Sequence, residues 1–131
     1  MMKKILFVCT GNTCRSPMAE ALISDKARRS GMEGRIEITS AGIMAGGCFP
    51  ASAGAHAAMA QRGINLGSHL SRQLTVSDIA ASDLILTMTA SHKRAVLAIS
   101  PEARDKVFTL AEFAGEGTDV ADPFGGSEAF A

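Results

Sequence analysis

The chain has 131 residues, 47% hydrophobic and 20% charged, which is enough for one packed core and too apolar for a disordered segment. Its 13 basic residues balance 13 acidic ones, leaving no broad field to draw nucleic acid or an anionic membrane surface. No apolar run reaches the roughly 18 residues that cross a bilayer, and the first apolar stretch is too short for a signal sequence, so one cytoplasmic domain over residues 1–131 is expected.

Strand and helix patterns alternate along the chain. Ile5 to Val8 is a continuous apolar run suited to a parallel strand buried on both faces. Ser16-Pro17 reads as an N-cap and a first-turn proline for a helix that Gly31 stops. Arg35 to Ser40 alternates as a second strand, and Ala51 to Arg62 is an alanine-rich helix ended by Gly63. Ser77 to Ala81 suits a short helix, Asp83 to Met88 a third strand, Ser91 to Ile99 a helix closed by Pro101, and Lys106 to Leu110 a fourth strand. The order predicts an α/β fold: a doubly wound, four-stranded parallel sheet with helices on both faces. Ligands of such sheets sit at the carboxyl ends of the strands. Cys9 lies at one such end, and the glycine-bearing stretch Met44 to Cys48 is expected at the rim of the same pocket.

Three cysteines, two of them on one loop, fit neither a disulfide framework nor zinc-ligand spacing. The run Cys9-Thr10-Gly11-Asn12-Thr13-Cys14-Arg15-Ser16-Pro17 fits phosphoryl chemistry instead. Cys9 is the candidate nucleophile, and a helix N-terminus with Arg15 nearby favours its thiolate. The N–H groups of Thr10, Gly11, Asn12, Thr13, Cys14 and Arg15 can form an anion nest. Gly11 and Asn12 tolerate the positive φ angles that such a loop demands. Arg15 offers a planar fork to two phosphoryl oxygens, and Ser16 can donate to the sulfur. This loop supplies the positive charge, so no metal and no other cofactor is implied. The proton donor is expected on another loop. Asp122-Pro123-Phe124-Gly125-Gly126 follows the last strand and can reach the same sheet edge, although Asp-Pro also suits an ordinary turn.

With these motifs the chain resembles the low-molecular-weight protein phosphatases over nearly its whole length. The likeness extends to Thr39-Ser40-Ala41-Gly42, His69-Leu70-Ser71-Arg72-Gln73-Leu74 and Met88-Thr89-Ala90-Ser91-His92-Lys93. The resemblance implies that Cys9 forms a phosphocysteine and that Arg15 binds the phosphoryl group. It also implies that Asp122 protonates the leaving group and then activates water. Asn12, Ser16, Ser40 and His69 match the family's loop-holding network, while Ser40 and His69 also suit plain caps or surface groups. The partners implied are phosphorylated proteins.

Within the family the loop and the Asp-Pro-Phe-Gly-Gly-Ser stretch are most similar to bacterial protein-arginine phosphatases. The tyrosine phosphatases of the family usually carry Leu or Ile where Thr10 stands and often Ile or Ser where Thr13 stands. They also have a Tyr after the Asp-Pro, where this chain has Phe124, and the chain contains no Tyr or Trp. A phosphotyrosine ring would lose stacking partners here, whereas a guanidinium suits a hydroxyl at Thr13 and a carboxylate at Asp122. Hydrolysis of protein phosphoarginine is therefore the expected activity, with Thr13 and Phe124 setting specificity. Tyrosine phosphatase is the alternative, followed by thiol-coupled arsenate reductase, which would need a downstream cysteine pair where only Cys48 stands. Cys14 is expected to form a reversible disulfide with Cys9 under oxidation. Family members usually continue into one more amphipathic helix, which is expected to be missing here. Self-association through the open face is expected in its place.

Overall fold

The computed structural model describes residues 3–32 and 34–114. The expectations that fall on Asp122, Phe124 and the last residues of the chain lie outside this range. Four strands form one parallel sheet: β1 (Lys3–Cys9), β2 (Ile36–Gly42), β3 (Leu84–Thr87) and β4 (Val107–Thr109). Their spatial order is β2-β1-β3-β4. The register sets Cys9 opposite Gly42 and Val8 opposite Thr87, so β1 ends flanked by both neighbours.

The two-residue period of β1 sorts its side chains to two cores. Leu6 and Val8 pack with Ile79, Ile85, Val96 and Val107 on one face. Phe7 and Cys9 pack with Leu86 and Met88 on the other, where Ala19 joins them. Helix α1 (Arg15–Arg29) carries Ala19, whereas α3 (Val76–Ala81) and α4 (Ala90–Ile99) carry Ile79 and Val96, so helices cover both faces. A third cluster, Met18, Ala55, Met59 and Leu66, joins α1 to α2 (Ala53–Ala60). Full burial of a side chain such as Phe7 contributes about 1.5–3 kcal/mol. No described helix is long and apolar enough to cross a membrane.

The element order matches the sequence pattern, and the differences lie at the boundaries. Helix α1 starts at Arg15, with Cys14 in the cap position and no side-chain cap. Ser16, the expected cap, is the second helical residue, because its hydroxyl is engaged with Cys9. Helix α2 begins at Ala53, two residues later than expected, because Ser52 caps it through Ala55 N. A 3₁₀ turn over Pro101–Lys106 replaces the start of the predicted fourth strand. Leu110 then opens a short helix, α5 (Leu110–Ala114), instead of extending β4. Reciprocal bonds hold that start, Thr109 N to Glu112 Oε1 at 2.8 Å and Glu112 N to Thr109 Oγ1 at 3.0 Å.

Candidate active site

At the carboxyl end of β1 the chain turns through Thr10 to Cys14 and enters α1. Cys9 Sγ is buried at the base of this turn. It accepts a hydrogen bond from Asn12 N at 3.2 Å and lies 2.8 Å from Ser16 Oγ. Ser16 Oγ itself accepts from Asn12 Nδ2 at 2.9 Å, so its own proton is directed at the sulfur. Two donors converging on one sulfur are what a negatively charged sulfur needs when buried.

Asn12 organises the turn. It is fully buried and sits at φ 58°, in the left-handed region, where its amide chemistry makes it one of the few residues other than glycine found there. Gly11 was expected to share this role and does not, since it lacks a positive φ. Besides Ser16, Asn12 Nδ2 donates to Ser40 Oγ at 2.9 Å, and Arg72 N donates to Asn12 Oδ1 at 2.9 Å. Ser40 Oγ in turn donates to Glu20 Oε1 at 2.5 Å. Strain of about 1–3 kcal/mol at such a backbone position is offset by this set of bonds.

The carbonyls of the turn are drawn outward by donors from other elements. Ile43 N donates to Cys9 O at 2.9 Å and Met44 N to Thr10 O at 2.8 Å. His69 Nε2 donates to Asn12 O at 2.7 Å, and Ser52 N to Thr13 O at 2.7 Å. No peptide here is cis, so each following N–H points away from its clamp. The N–H groups of Thr10, Gly11, Thr13 and Cys14 are thereby turned off the outer wall, toward the side on which an anion can sit.

Gly42 is the residue that allows this packing. A Cβ there would stand 2.6 Å from Thr10 O, nearer than real Cβ contacts come, and a tight 3.0 Å from Asn12 N. The segment after His69 braces the same point, with Gly42 N bonded to Arg72 O at 2.9 Å and Leu74 N to Gly42 O at 2.8 Å. Arg72 is itself fixed by an ion pair to Asp78 at 2.8 Å. Burial, the largest single influence on Asp78, would raise its pKa. Hydrogen bonds from Arg72 and Thr75, with the charge of Arg72, outweigh it and hold the carboxyl below its ordinary value.

Arg15 is a buried guanidinium, 9% exposed, lining a cleft of about 180 Å³ with Phe7, Met18, Met59 and Met88. Among the described residues no carboxylate forms an ion pair with it, and an arginine held this way suits an incoming anion. Thr10 exposes its side chain on one side of the turn, and Thr13 and Cys14 are half-buried. Met44 is exposed beside Thr10, at the rim where the glycine-bearing stretch was expected. Among the described residues no group of three His, Cys, Asp or Glu side chains is arranged to hold a metal. Sequence reasoning assigned no role to Glu20, Gly42, Ser52 and Arg72. Gly42 and Arg72 were visible inside recognised motifs, but only the folded contacts show what they do. Ser52 carried no signal beyond the alanine-rich run that it caps.

The family model of low molecular weight phosphotyrosine protein phosphatases matches residues 4–131. A protein-arginine-phosphatase of Bacillus subtilis is 46% identical over 94% of this chain and 81% of its own length. A probable low molecular weight protein-tyrosine-phosphatase of Ralstonia solanacearum is 43% identical over 95% of this chain and 80% of its own. Among solved structures, a Cys-to-Ser mutant of the YwlE arginine phosphatase with a phosphorylated active-site serine superposes with a TM-score of 0.86. It is 42% identical and covers 97% of this chain and 83% of its own.

Proposed function

The chain belongs to the low molecular weight phosphotyrosine protein phosphatase family and is a cysteine-dependent protein phosphatase, and we propose that its substrate is phosphoarginine in proteins. The observation that carries the chemistry is the sulfur of Cys9, buried under two hydrogen-bond donors at the foot of an amide-lined turn.

In this reading Cys9 Sγ attacks the phosphorus in line with the leaving guanidino nitrogen. The S–P bond forms as the P–N bond breaks, and Asp122 gives its proton to the departing nitrogen. Arg15 and the turn's N–H groups take up the charge that develops on the equatorial oxygens. Asp122, now ionised, removes a proton from water as the water oxygen attacks phosphorus. The S–P bond breaks, inorganic phosphate leaves, and Ser16 donates to the returning sulfur anion. Asn12, Ser40 and His69 hold the turn throughout. The chemistry needs a reduced thiol, which fits the cytoplasmic setting expected from the composition.

The preference for arginine rests on Thr13, on Phe124 in place of a tyrosine, and on the absence of Tyr and Trp from the chain. The similarity to a relative named for arginine dephosphorylation supports it. The Ralstonia relative named as a probable tyrosine phosphatase supports the second reading, phosphotyrosine. Parallel turnover of matched phosphoarginine and phosphotyrosine peptides decides between them. Preference for the arginine peptide is expected, and equal or better tyrosine turnover overturns the assignment.

We also propose that peroxide joins Cys9 and Cys14. Two thiols are oxidised to one disulfide as hydrogen peroxide is reduced to two waters. Full recovery of activity with a thiol reductant is expected in the wild type and poor recovery in Cys14→Ser. Equal recovery of the two removes the proposal.

A further inference from the structure

The turn leaving β1 is gripped from both neighbouring strands, and the two grips differ. At Cys9 and Thr10, where the turn begins, the β2-side grips are main-chain bonds, Ile43 N to Cys9 O and Met44 N to Thr10 O. On the β3 side, Met88 N reaches Val8 O within the sheet, and a side chain reaches the turn itself: His92 Nε2 lies 2.8 Å from Thr10 Oγ1. His92 is 7% exposed, whereas Thr10 is exposed, so a buried ring holds the hydroxyl of an exposed residue across 82 positions of sequence.

The ring is well anchored for such a task. His92 is the third residue of α4, and its backbone N donates to Oγ1 of the cap residue Thr89 at 3.2 Å. Thr87 Oγ1 donates to Thr89 O at 2.9 Å, which fixes the connection from β3. The Thr10–Gly11 peptide therefore has its carbonyl bound from the β2 side, while the Thr10 side chain is bound from the β3 side. Rotation of that peptide would break one bond or the other. Its orientation sets the direction of Gly11 N–H, one of the donors turned toward the anion.

Resting on the reading of this turn as the phosphoryl site, we infer that His92 is a positioning residue of the phosphatase. It acts through Thr10 to hold the first peptide of the turn in its anion-binding orientation. It does not touch the phosphoryl group. A structural role in the core of α4 would lower stability and leave the turnover of folded enzyme alone.

The test compares Thr10→Val, His92→Ala, His92→Gln and the Thr10→Val/His92→Ala double variant, with Cys9→Ser as reference. Each is assayed for para-nitrophenyl phosphate hydrolysis, inhibition by orthovanadate and thermal midpoint. Thr10→Val changes an exposed side chain and keeps its shape, so it isolates the bond without disturbing the core. Both single variants are expected to lose about tenfold in kcat/KM, the scale of one hydrogen bond, and to weaken vanadate inhibition by a similar factor. The double variant should lose no more than the worse single one, because both remove the same bond. His92→Gln, which can place an amide near the Nε2 position, should recover most of the loss.

Wild-type kcat/KM and vanadate inhibition in Thr10→Val would overturn the inference. So would multiplied losses in the double variant, or a His92→Ala whose only change is a lower thermal midpoint. An inactive wild type, or hydrolysis retained in Cys9→Ser, would instead defeat the reading of the turn itself.

Discussion

The starts of α1 and α3 are built from similar residues and used in opposite ways. At α3, Thr75 and Asp78 cap each other's backbone N–H groups, and Asp78 adds negative charge to the first turn. At its other end Lys106 Nζ donates to Ile79 O at 2.6 Å and to Ser82 O at 2.7 Å. At α1 the side chain of the cap residue Cys14 makes no cap bond and no acidic residue lies in the first turn, although Thr13 and Ser16 bring hydroxyls to the spot. A side-chain cap contributes about 1 kcal/mol. In the proposed reading, forgoing it leaves the positive end of a 15-residue helix for the phosphoryl group. On that reading stability is concentrated at one helix start, and binding capacity at the other.

The harshest way to break this contrast is to remove the residue that shapes the α1 side. Asn12→Ala strips partners from Ser16, Ser40 and Arg72 N at once. A loss of at least about 100-fold in kcat/KM and about 2–4 kcal/mol in stability is expected, read by steady-state kinetics and urea unfolding. Retained activity would show that the turn holds its shape without that amide. Gly42→Ala should act in the same direction, since its methyl would press on Thr10 O.

Filling the α1 end is the next largest effect. Orthovanadate at about 100 times its dissociation constant should stabilise the protein by about 2.7 kcal/mol, visible as a raised thermal midpoint. Arg15→Ala should abolish most of that rise. An undiminished rise would place the anion elsewhere.

The α3 side should respond in stability alone. Lys106→Met leaves helix-end carbonyls without their donor and Thr75→Ala removes a cap, so each should cost about 1–2 kcal/mol. Their kcat/KM should stay within about twofold of wild type. A parallel fall in turnover would mean that the two ends are not separable.

The smallest effect is acid sensitivity at Asp78. Its folded-state pKa is held below the ordinary value by bonds from Arg72 and Thr75 despite partial burial. The stability it contributes is therefore present above its ordinary carboxylate range, near pH 4, and is lost as pH falls through the lowered folded value. Unfolding midpoints measured from pH 6 to pH 2 should decline less steeply in Asp78→Asn. Identical slopes would remove Asp78 from the acid response.

Much of the fold was legible because two signals agreed. The apolar run Ile5 to Val8 and the glycines at 31 and 63 mark strand and helix limits that the structure keeps to within a few residues. The misplaced limits share a cause. Ser16, Ser52 and Thr109 carry hydroxyls whose partners lie elsewhere in the chain or in the next turn, and local pattern cannot rank those partners. Cys9, Asn12, Arg15 and Ser16 could be singled out as site candidates because they fall within eight residues of sequence. Glu20, Gly42, Arg72 and His92 could not be assigned their contacts in that way, because each meets the site through a neighbour distant in sequence.

Sequence alone determined the alternation of strands and helices, the cysteine at a strand's end and the family to which the motifs point, because periodicity and short-range spacing are local properties. Tertiary structure decided which carbonyls of the turn are bound outward, why residue 42 has no side chain and how a ring on α4 comes to hold Thr10. Those outcomes depend on which strands lie beside β1, and parallel neighbours meet only through crossovers of a dozen residues or more.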